Sequence, residues 1–261
     1  MPAPLVTLTT DFGEDSPYVA AVKGVILSVN PDARLLDLGH QLPPQDIPHA
    51  SFFLTAAIPY FPPGTLHVVV VDPGVGTERA LLYVEVAGHR LLAPDNGCWT
   101  SLARVAAAAP TVIRLAEPRY WRQPVSATFH GRDILAPVAG HLSLGLDPGL
   151  LGPAVTKWVR WDEPAPLIAA DWLAGEVVSV DHFGNLITNI PGDAFLALNR
   201  PVLVGGQEVT RRVRSYAEAE VGTAVALVSS TGRLEIAVVQ GNAAQRLGAR
   251  RGTPVVVEGG G

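Results

Sequence analysis

The chain has 261 residues, of which 48% are hydrophobic and 16% are charged, and its formal net charge at pH 7 is −5. This length predicts two domains, whereas the acidic balance without any basic block argues against a nucleic-acid partner. The single cysteine, Cys98, excludes an internal disulfide framework and a multi-cysteine metal site. No apolar run reaches about 18 residues and no basic-then-apolar leader opens the chain, so we expect a cytoplasmic protein with no membrane partner.

The N-terminal part of the chain alternates short apolar strands with helical patterns. In chain order the predicted elements are a strand at 5–9, a helix at 18–29, a strand at 34–38, a helix at 48–58, strands at 66–71, 81–86 and 90–93, and a helix at 134–142. Pro17 follows Asp15 and Ser16, two candidate caps for the first helix, and Pro59 ends the second. This alternation is typical of an α/β domain with a largely parallel central sheet, which we predict for residues 1–160.

The character of the sequence changes near residue 160. Trp and Pro become frequent and no period is visible, so a linker is predicted at 161–172. Beyond it, Gly-rich turns separate short β-rich runs at 175–180, 186–190, 201–204, 207–213, 224–229 and 254–257. Short strands at this spacing predict a small all-β domain, an antiparallel barrel or sandwich, over residues 173–261.

The first polar cluster follows the apolar run at 66–71. That run ends in Asp72, a Pro/Gly-rich turn comes next, and Arg79 follows the turn. In open α/β sheets, ligands bind in the crevice beyond the carboxyl ends of the strands. The pattern therefore predicts a polar site at Asp72 and Arg79, and the alternative is an ion pair that only pins the turn.

Two further clusters lie near the ends of predicted N-terminal elements. Asp11 follows the first strand; such an Asp most often bonds its own turn, and the alternative role is to hold the two hydroxyls of a ribose. Before the helix at 134–142, Phe129 is expected to pack and Asp133 to cap that helix. His130 precedes Gly131, which permits close approach of a backbone or a ligand. A lone loop histidine is usually structural, but beside an Asp–Arg pair His130 is suited to handle a proton near neutral pH.

A fourth cluster, Asp181 to Asn189, lies in the predicted β domain. It is typical of a hairpin turn with Asn and Gly at positive φ. The alternative is that the Asn185 amide, a donor and an acceptor together, recognises an adenine edge while Asp181 faces an ammonium. The histidines show no metal-ligand spacing, and the chain has neither a P-loop nor a GxGxxG motif. The residues alone therefore predict an Asp/Arg/His site suited to a nucleoside-like ligand.

Taken together, these clusters resemble one family. The resemblance rests on Thr9 to Gly13, Asp72 to Thr77, Pro94 to Gly97, Phe129 to Asp133, Asp181 to Asn189 and Ser229 to Ala244, in that order along the chain. These motifs are similar to those of the S-adenosylmethionine (SAM) hydrolases, also called SAM hydroxide adenosyltransferases, which are relatives of fluorinase and chlorinase. The match covers residue 5 to about residue 255.

The resemblance implies an α/β N-terminal domain, a β-barrel C-terminal domain and a homotrimer. SAM would bind between the N-terminal domain of one subunit and the C-terminal domain of the next. Water or hydroxide would attack the ribose C5′, which yields adenosine and methionine, with SAM as the substrate and no metal or redox cofactor. In that family an Asp–Arg–His triad handles the water, and it corresponds here to Asp72, Arg79 and His130.

The resemblance also implies substrate contacts and a choice of nucleophile. By motif, Asp11 would contact the ribose hydroxyls, and Phe129 and Gly131 would line the pocket. Asp181 would contact the methionine ammonium, and Ser230 and Thr231 the methionine carboxylate. Asn185 and the backbone near Val238 would contact the adenine. Asp72, Gly131 and Thr231 stand where fluorinase has a tyrosine, a halide-binding serine and an arginine. A carboxylate beside the nucleophile repels a halide, which favours a hydrolase over a halogenase. A SAM- or adenosine-binding module without turnover is the remaining alternative.

Overall fold

The computed structural model describes residues 5–258, and the chain divides into two compact units, Met1–Asp162 (unit 1) and Glu163–Gly261 (unit 2). The strands of unit 1 are β1 (Leu5–Thr10), β2 (Arg34–Gly39), β3 (Leu66–Val70), β4 (Leu81–Val86), β5 (His89–Pro94) and β6 (Thr111–Arg114). Its α-helices are α1 (Pro17–Val29), α2 (Ile47–Ala57), α3 (Thr100–Val105) and α4 (Ala136–Ser143), and a π-helical turn, Gly131–Leu135, precedes α4.

The sheet of unit 1 has the order β2-β1-β3-β5-β4-β6 and is mixed. The pairs β1–β2, β1–β3 and β3–β5 are parallel, whereas β4 is antiparallel to both β5 and β6. The predicted α/β class is confirmed, and the predicted largely parallel sheet is shown in part, because three of the five strand pairs are parallel. The exception is the antiparallel direction of β4. Its physical reason is the two-residue connection from β4 to β5, where Ala87 and Gly88 both have positive φ, 52° and 79°. Such a tight turn joins only antiparallel strands.

Both faces of this sheet are covered, which explains why β3 is apolar without alternation. Val68 packs with α1 and α4 on one face, and Val69 packs with α2 and Trp99 on the other. Trp99 also stacks on Trp158, with ring centroids 3.8 Å apart and planes at 30°. β3 is therefore packed on both faces, up to the polar turn that follows it.

Two histidines lie inside this layer. His67 on β3 is fully buried; its Nδ1 is 2.7 Å from Oγ1 of Thr7 and its Nε2 is 3.3 Å from Nδ1 of His89. Burial, with His89 as a second cause, lowers the pKa of His67 to about 3, and burial also lowers the pKa of His89. The pair is therefore neutral in the folded protein near pH 7.

Unit 2 is built around a mostly antiparallel sheet. Its strands are β7 (Leu167–Ile168), β8 (Leu173–Val180), β9 (Leu186–Pro191), β10 (Val202–Val204), β11 (Gln207–Val209), β12 (Arg211–Arg212), β13 (Ala224–Val228), β14 (Arg233–Val238) and β15 (Pro254–Val257), and its helices are α5 (Gly192–Ala197) and α6 (Ala243–Leu247). The order is β11-β10-β15-β8-β9-β14-β13-β12, with β7 on β8, and the sheet is nearly closed and barrel-like. The all-β character is confirmed. Sequence patterns did not reveal β14, and across residues 5–258 no helix is long and apolar enough to cross a membrane.

Candidate active site

The residues that follow strand β3 are held in place at the edge of the sheet. Nδ2 of Asn96 donates to the carbonyl oxygen of Val71 at 2.9 Å, and Oδ1 of Asn96 accepts from the backbone nitrogen of Cys98 at 3.1 Å. The following turn is closed by Thr77, whose backbone nitrogen and Oγ1 both donate to the Gly74 carbonyl. Asp72 therefore lies between two segments held by hydrogen bonds, namely the end of the strand at Val71 and the turn closed by Thr77.

Asp72 and Arg79 form the predicted ion pair. Nε of Arg79 is 2.9 Å from Oδ1 and 3.0 Å from Oδ2 of Asp72, and its Nη2 also donates to Oδ2. The side chains are only 7% and 10% exposed, respectively. A charge-assisted pair with this little water is rigid, because each partner would be costly to leave unpaired.

The structure also brings His130 to this pair. Nη2 of Arg79 lies 3.0 Å from Nδ1 of His130. Because a guanidinium only donates, Nδ1 accepts, and the neutral ring carries its proton on Nε2. Burial first and the Arg79 charge second lower the pKa of His130, against opposing effects of Asp72 and Asp133. The ring is therefore neutral near pH 7, with Nε2–H as the donor that Arg79 does not use.

Two glycines permit the close approach of the segments that carry the triad of Asp72, Arg79 and His130. Gly76 has φ +82°, and a Cβ there would lie 2.5 Å from the carbonyl oxygen of Ala127. A Cβ at Gly131 would lie 2.8 Å from Cγ1 of Val70. Any side chain at either position would push the His130 segment away from the strand end that carries Asp72.

Asp133 does not cap the following helix, so that prediction is wrong. The residue lies inside the π-helical turn Gly131–Leu135, and its buried carboxylate instead binds the backbone nitrogen of Ser126 and two arginines. Sequence rules for helix caps assume an α-helical first turn, and here tertiary partners of Asp133 replace that geometry.

Asp11 and Phe129 lie in adjoining parts of unit 1. Phe129 packs as predicted, with its ring centroid 5.7 Å from that of Phe12 and 5.3 Å from that of Tyr18. Oδ2 of Asp11 accepts from the backbone nitrogen of Gln45 at 2.7 Å. The Asp11 turn and the His130 segment are thus joined by an aromatic cluster of Phe12, Tyr18 and Phe129, a surface suited to a planar or ribose-sized ligand.

In unit 2, the predicted hairpin turn is present and Asp181 organises it, but within the turn only Gly184 has positive φ, so the prediction of positive φ at Asn185 is wrong. Oδ1 of Asp181 accepts from the backbone nitrogens of Phe183 and Asn185, at 2.9 and 2.8 Å. Oδ2 accepts from Nδ2 of Asn185 at 2.9 Å, so these two candidates are brought together. Gly184 has φ +84°, and a Cβ there would overlap Asn242, the cap of α6.

The remaining candidates of unit 2 lie at the two ends of β14. Ser230 and Thr231 form the exposed turn before it, where Oγ1 of Thr231 is 2.8 Å from Oγ of Ser229. Val238 is the last residue of β14 and is buried. Gln240 follows with φ 50°, and the backbone nitrogen of Gly241 donates to the Val238 carbonyl at 2.9 Å.

Sequence analysis missed one buried acid in unit 2, Glu235. It lies on β14 and is 4% exposed; its Oε1 accepts from the hydroxyl of Tyr216 at 2.5 Å. Burial raises its pKa, the Tyr216 bond opposes this, and the Asp181 charge adds to it. Its only sequence signal was one charged residue inside an apolar run. A second acid near Asp181 makes this end of unit 2 suited to a cationic group.

Over the part of the chain that the structure describes, no group of three or more His, Cys, Asp or Glu side chains gathers in a way that could hold a metal ion.

Comparisons with known proteins agree over nearly the whole length. The model of the SAM hydroxide adenosyltransferase N-terminal domain matches residues 6–152, and that of the C-terminal domain matches residues 175–256. An (R)-S-adenosyl-L-methionine hydrolase from Thermus thermophilus is 41% identical, over 96% of this chain and 98% of the relative. One from Salinispora tropica is 37% identical, over 99% of each.

A fluorinase from Nocardia brasiliensis is more distant, at 26% identity over 90% of each chain. Among solved structures, an uncharacterized conserved protein from Thermotoga maritima superposes with a TM-score of 0.92 at 34% identity, over 97% of this chain and all of that one. Both family domains, in the expected order and with full-length relatives, match this sequence. The chain therefore belongs to the SAM hydroxide adenosyltransferase family.

Proposed function

We propose that this protein hydrolyses S-adenosyl-L-methionine to adenosine and L-methionine by attack of water or hydroxide on the ribose C5′. The observation that carries the proposal is the partly buried Asp72–Arg79–His130 triad in a chain whose full-length relatives are named (R)-S-adenosyl-L-methionine hydrolases. The reaction suits a small polar site, because a sulfonium departs as a neutral thioether. No general acid and no metal or redox cofactor is needed for that departure.

The chemical task is then to hold one water in line with the C5′–S bond. The neutral His130 donates its Nε2–H to the oxygen of that water, since its Nδ1 is engaged by Arg79. Asp72 accepts a proton from the water through a lone pair that Arg79 leaves unused. The O–C5′ bond forms, the C5′–S electron pair leaves on sulfur, and the proton passes from Asp72 to solvent.

The substrate contacts complete the proposal. Asp11 holds the ribose hydroxyls, and Phe129 with the Gly131 backbone lines the pocket beside the triad. Asn185 and the backbone at Val238 hold the adenine, while Ser230 and Thr231 approach the methionine carboxylate. Asp181 faces the methionine ammonium. Glu235 adds to the attraction of that ammonium, because its buried carboxyl lies close enough to Asp181 for the two groups to interact electrostatically.

The proposed assembly is a homotrimer. In it, unit 1 of one subunit and unit 2 of the next would form each site. This proposal rests on the family alone.

A halogenase is the second enzymatic candidate, and two observations disfavour it. Asp72 carries a negative charge at the position of the nucleophile, which repels a halide. At residue 131, the Cβ of a serine would lie 2.8 Å from Cγ1 of Val70, so Val70 would have to shift before a halide-binding serine could be accommodated. Fluorinases are also the more distant relatives.

The reaction is tested with purified protein, SAM and ¹⁸O-labelled water. We expect adenosine whose 5′-oxygen carries the label, detected by mass spectrometry. Adenosine without label would contradict attack at C5′, and no adenosine above the protein-free control would contradict hydrolysis.

The variants Asp72→Ala and His130→Ala distinguish hydrolysis of SAM from binding of SAM without turnover. Under the proposal both variants bind SAM in calorimetry but release adenosine at no more than about a hundredth of the wild-type rate. Equal adenosine traces from wild type and both variants would support the binding module instead.

A further inference from the structure

The π-helical turn that follows His130 contains a charged residue with almost no contact with water. Asp133 has 0% exposure. Its carboxylate accepts from Nε and Nη2 of Arg132 at 2.7 and 2.8 Å, and from Nη1 of Arg122 at 3.2 Å. The backbone nitrogen of Ser126 donates to Oδ2 at 2.9 Å. A π-helical turn is a rare and costly geometry that occurs frequently at functional sites.

These bonds decide the ionisation of Asp133. Burial alone would raise the pKa of its carboxyl, but the bonds from Arg132 and Ser126 and the charges of both arginines outweigh burial and lower it. The group is therefore ionised at neutral pH, and removing its charge would weaken its bonds to both guanidinium groups.

Asp133 also connects the segments on both sides of His130. Its carbonyl oxygen accepts from the backbone nitrogen of Arg122 at 2.8 Å, so residues 122–126 are tied to the turn at two points. Next to this segment, Ala127 contacts Gly76 in the Asp72–Arg79 turn. On the other side of His130, Gly131 contacts Val70 at the end of β3.

Neither of these glycine contacts is a directional bond. Backbone bonds from the nitrogens of Arg132 and Asp133 to the Phe129 carbonyl shape the turn itself. The carboxylate of Asp133 adds the side-chain bonds that tie the turn to Arg122 and Ser126. The distance of 3.0 Å from Arg79 Nη2 to His130 Nδ1 depends on the shape of this segment.

We propose that Asp133 is a positioning residue for the hydrolysis: its bonds to Arg122, Arg132 and Ser126 hold the π-helical turn so that His130 meets Arg79. The proposal rests on the function proposed above. Asp133 acts on the reaction through His130 and touches neither the substrate nor the water.

The test is Asp133→Asn, which keeps the shape and one acceptor but loses the charge. We expect kcat to fall by about 10- to 100-fold, the cost of a misplacement of about 1 Å. Asp133→Glu, which keeps the charge, is expected to recover part of this loss. A matched control is Asn30→Ala, which removes a buried hydrogen bond of 2.8 Å to Ser143 in the same unit and is expected to lower stability without this loss of kcat.

The titration of His130 by NMR provides a readout that a purely structural role would not move in the same direction. Loss of the Asp133 charge alone would lower the pKa of His130, because that charge raises it. Displacement of the ring from Arg79 and from its buried position would raise the pKa instead. We expect a higher pKa in Asp133→Asn, and an unchanged one in Asn30→Ala.

A lower pKa of His130 in Asp133→Asn, or a kcat equal to that of Asn30→Ala, would overturn the proposal. If Asp133→Asn does not fold, Arg132→Gln removes two of the four bonds to the carboxylate and is expected to shift kcat and the His130 pKa in the same directions, by less. If wild-type protein releases no adenosine, the proposed function fails, but the His130 titration still decides whether Asp133 positions the ring.

Discussion

Arg79 is the residue on which the geometry of the triad depends. It donates to both oxygens of Asp72 and to Nδ1 of His130, and a guanidinium is rigid enough to serve both partners at once. Its contact selects the tautomer of His130, and its charge adds to burial in lowering the pKa of that ring. One side chain therefore prepares an acceptor, Asp72, and a donor, His130, on either side of the proposed water.

Arg79→Gln is expected to raise the pKa of His130, because the variant removes a positive charge that lies within hydrogen-bond distance of the ring. The cause is the loss of the positive neighbour while Asp72, which raises the pKa, remains. The measurement is an NMR titration of the His130 ring, with the side-chain signals of His182 as an internal reference. A pKa equal to or below the wild-type value would contradict this electrostatic account.

Glu235→Gln is expected to raise KM for SAM by about tenfold while the affinity for adenosine changes little. The reason is that only SAM carries the ammonium, and a neutral amide attracts it less than a carboxylate does. Calorimetry with SAM and adenosine in parallel makes the comparison. Equal losses for both ligands would mean that Glu235 supports the fold of unit 2 rather than the ammonium.

At the residue scale, sequence analysis identified all three members of the triad, because each lies beside a strand end or a glycine that exposes it. Asp133 and Glu235 were not recognised for their actual contacts. Their partners Arg122, Ser126 and Tyr216 lie 7 to 19 residues away along the chain, so no local pattern joins them. Burial of a charge becomes visible only when the tertiary structure supplies its partners.

At the scale of elements, the strand β3 and the turn after it form the frame of the site. Most predicted strands and helices of unit 1 are present, because apolar periodicity and proline breaks are local signals. The antiparallel direction of β4 was not predicted, since strand direction depends on how strands are connected. The π-helical turn was not predicted either, because its length depends on the distant partners of Asp133.

Gly76→Ala is expected to lower kcat by about 100-fold, because its Cβ would lie 2.5 Å from the Ala127 carbonyl and would separate the Asp72 turn from the His130 segment. Gly88→Ala is the matched control. Its φ is +79°, so it carries the same backbone strain, but nothing lies within 4 Å of its Cβ. Steady-state kinetics of both variants are compared; similar losses would attribute the effect to strain and contradict the role of the contact.

The neutral His67–His89 pair is expected to make the free energy of unfolding of unit 1 depend on pH in the acid range. The folded pKa of His67, about 3, lies below the ordinary value of 6.5, so the folded state binds fewer protons than the unfolded state between these values. The contribution of His67 is therefore complete above about pH 6.5 and falls as the pH decreases, with a slope of up to about 1.4 kcal/mol per pH unit.

His67→Gln replaces this titrating ring by a neutral amide and is expected to make stability less dependent on pH. Urea unfolding at about pH 7.5 and about pH 5 measures the difference. The variant is expected to be less stable at the higher pH, since it loses packing, but to lose less on acidification. His182→Gln, at an exposed position of unit 2, serves as control. If stability depended on pH as strongly in His67→Gln as in the wild type, His67 would not be the cause of that dependence.

At the scale of the whole molecule, the proposed chemistry and the proposed substrate contacts are divided between the two units. Asp72, Arg79 and His130 belong to unit 1, whereas Asp181, Asn185 and Glu235 belong to unit 2. Composition and turn spacing indicated both units in advance, because each has its own apolar pattern. The proposed division of the site between subunits has no signature in a single sequence, and only the family resemblance suggests it.

Mixed assemblies test this division. If each site combines unit 1 of one subunit with unit 2 of the next, co-expressed Asp72→Ala and Asn185→Ala chains restore about a quarter of the sites, by random assembly in a cyclic oligomer. Each variant alone is expected to be inactive, and light scattering measures the mass of the assembly. Complete inactivity of the mixed, correctly assembled protein would instead mean that each chain completes its own site.

The stack of Trp99 on Trp158 gives unit 1 an optical label that unit 2 lacks, because the single tryptophan of residues 163–261 is Trp172. Two indoles this close share their electronic excitation and produce a paired positive and negative band in the aromatic circular dichroism. Melting followed at that band reports unit 1, whereas the far-ultraviolet signal reports both units. Where the two curves separate, the halves lose their structure independently.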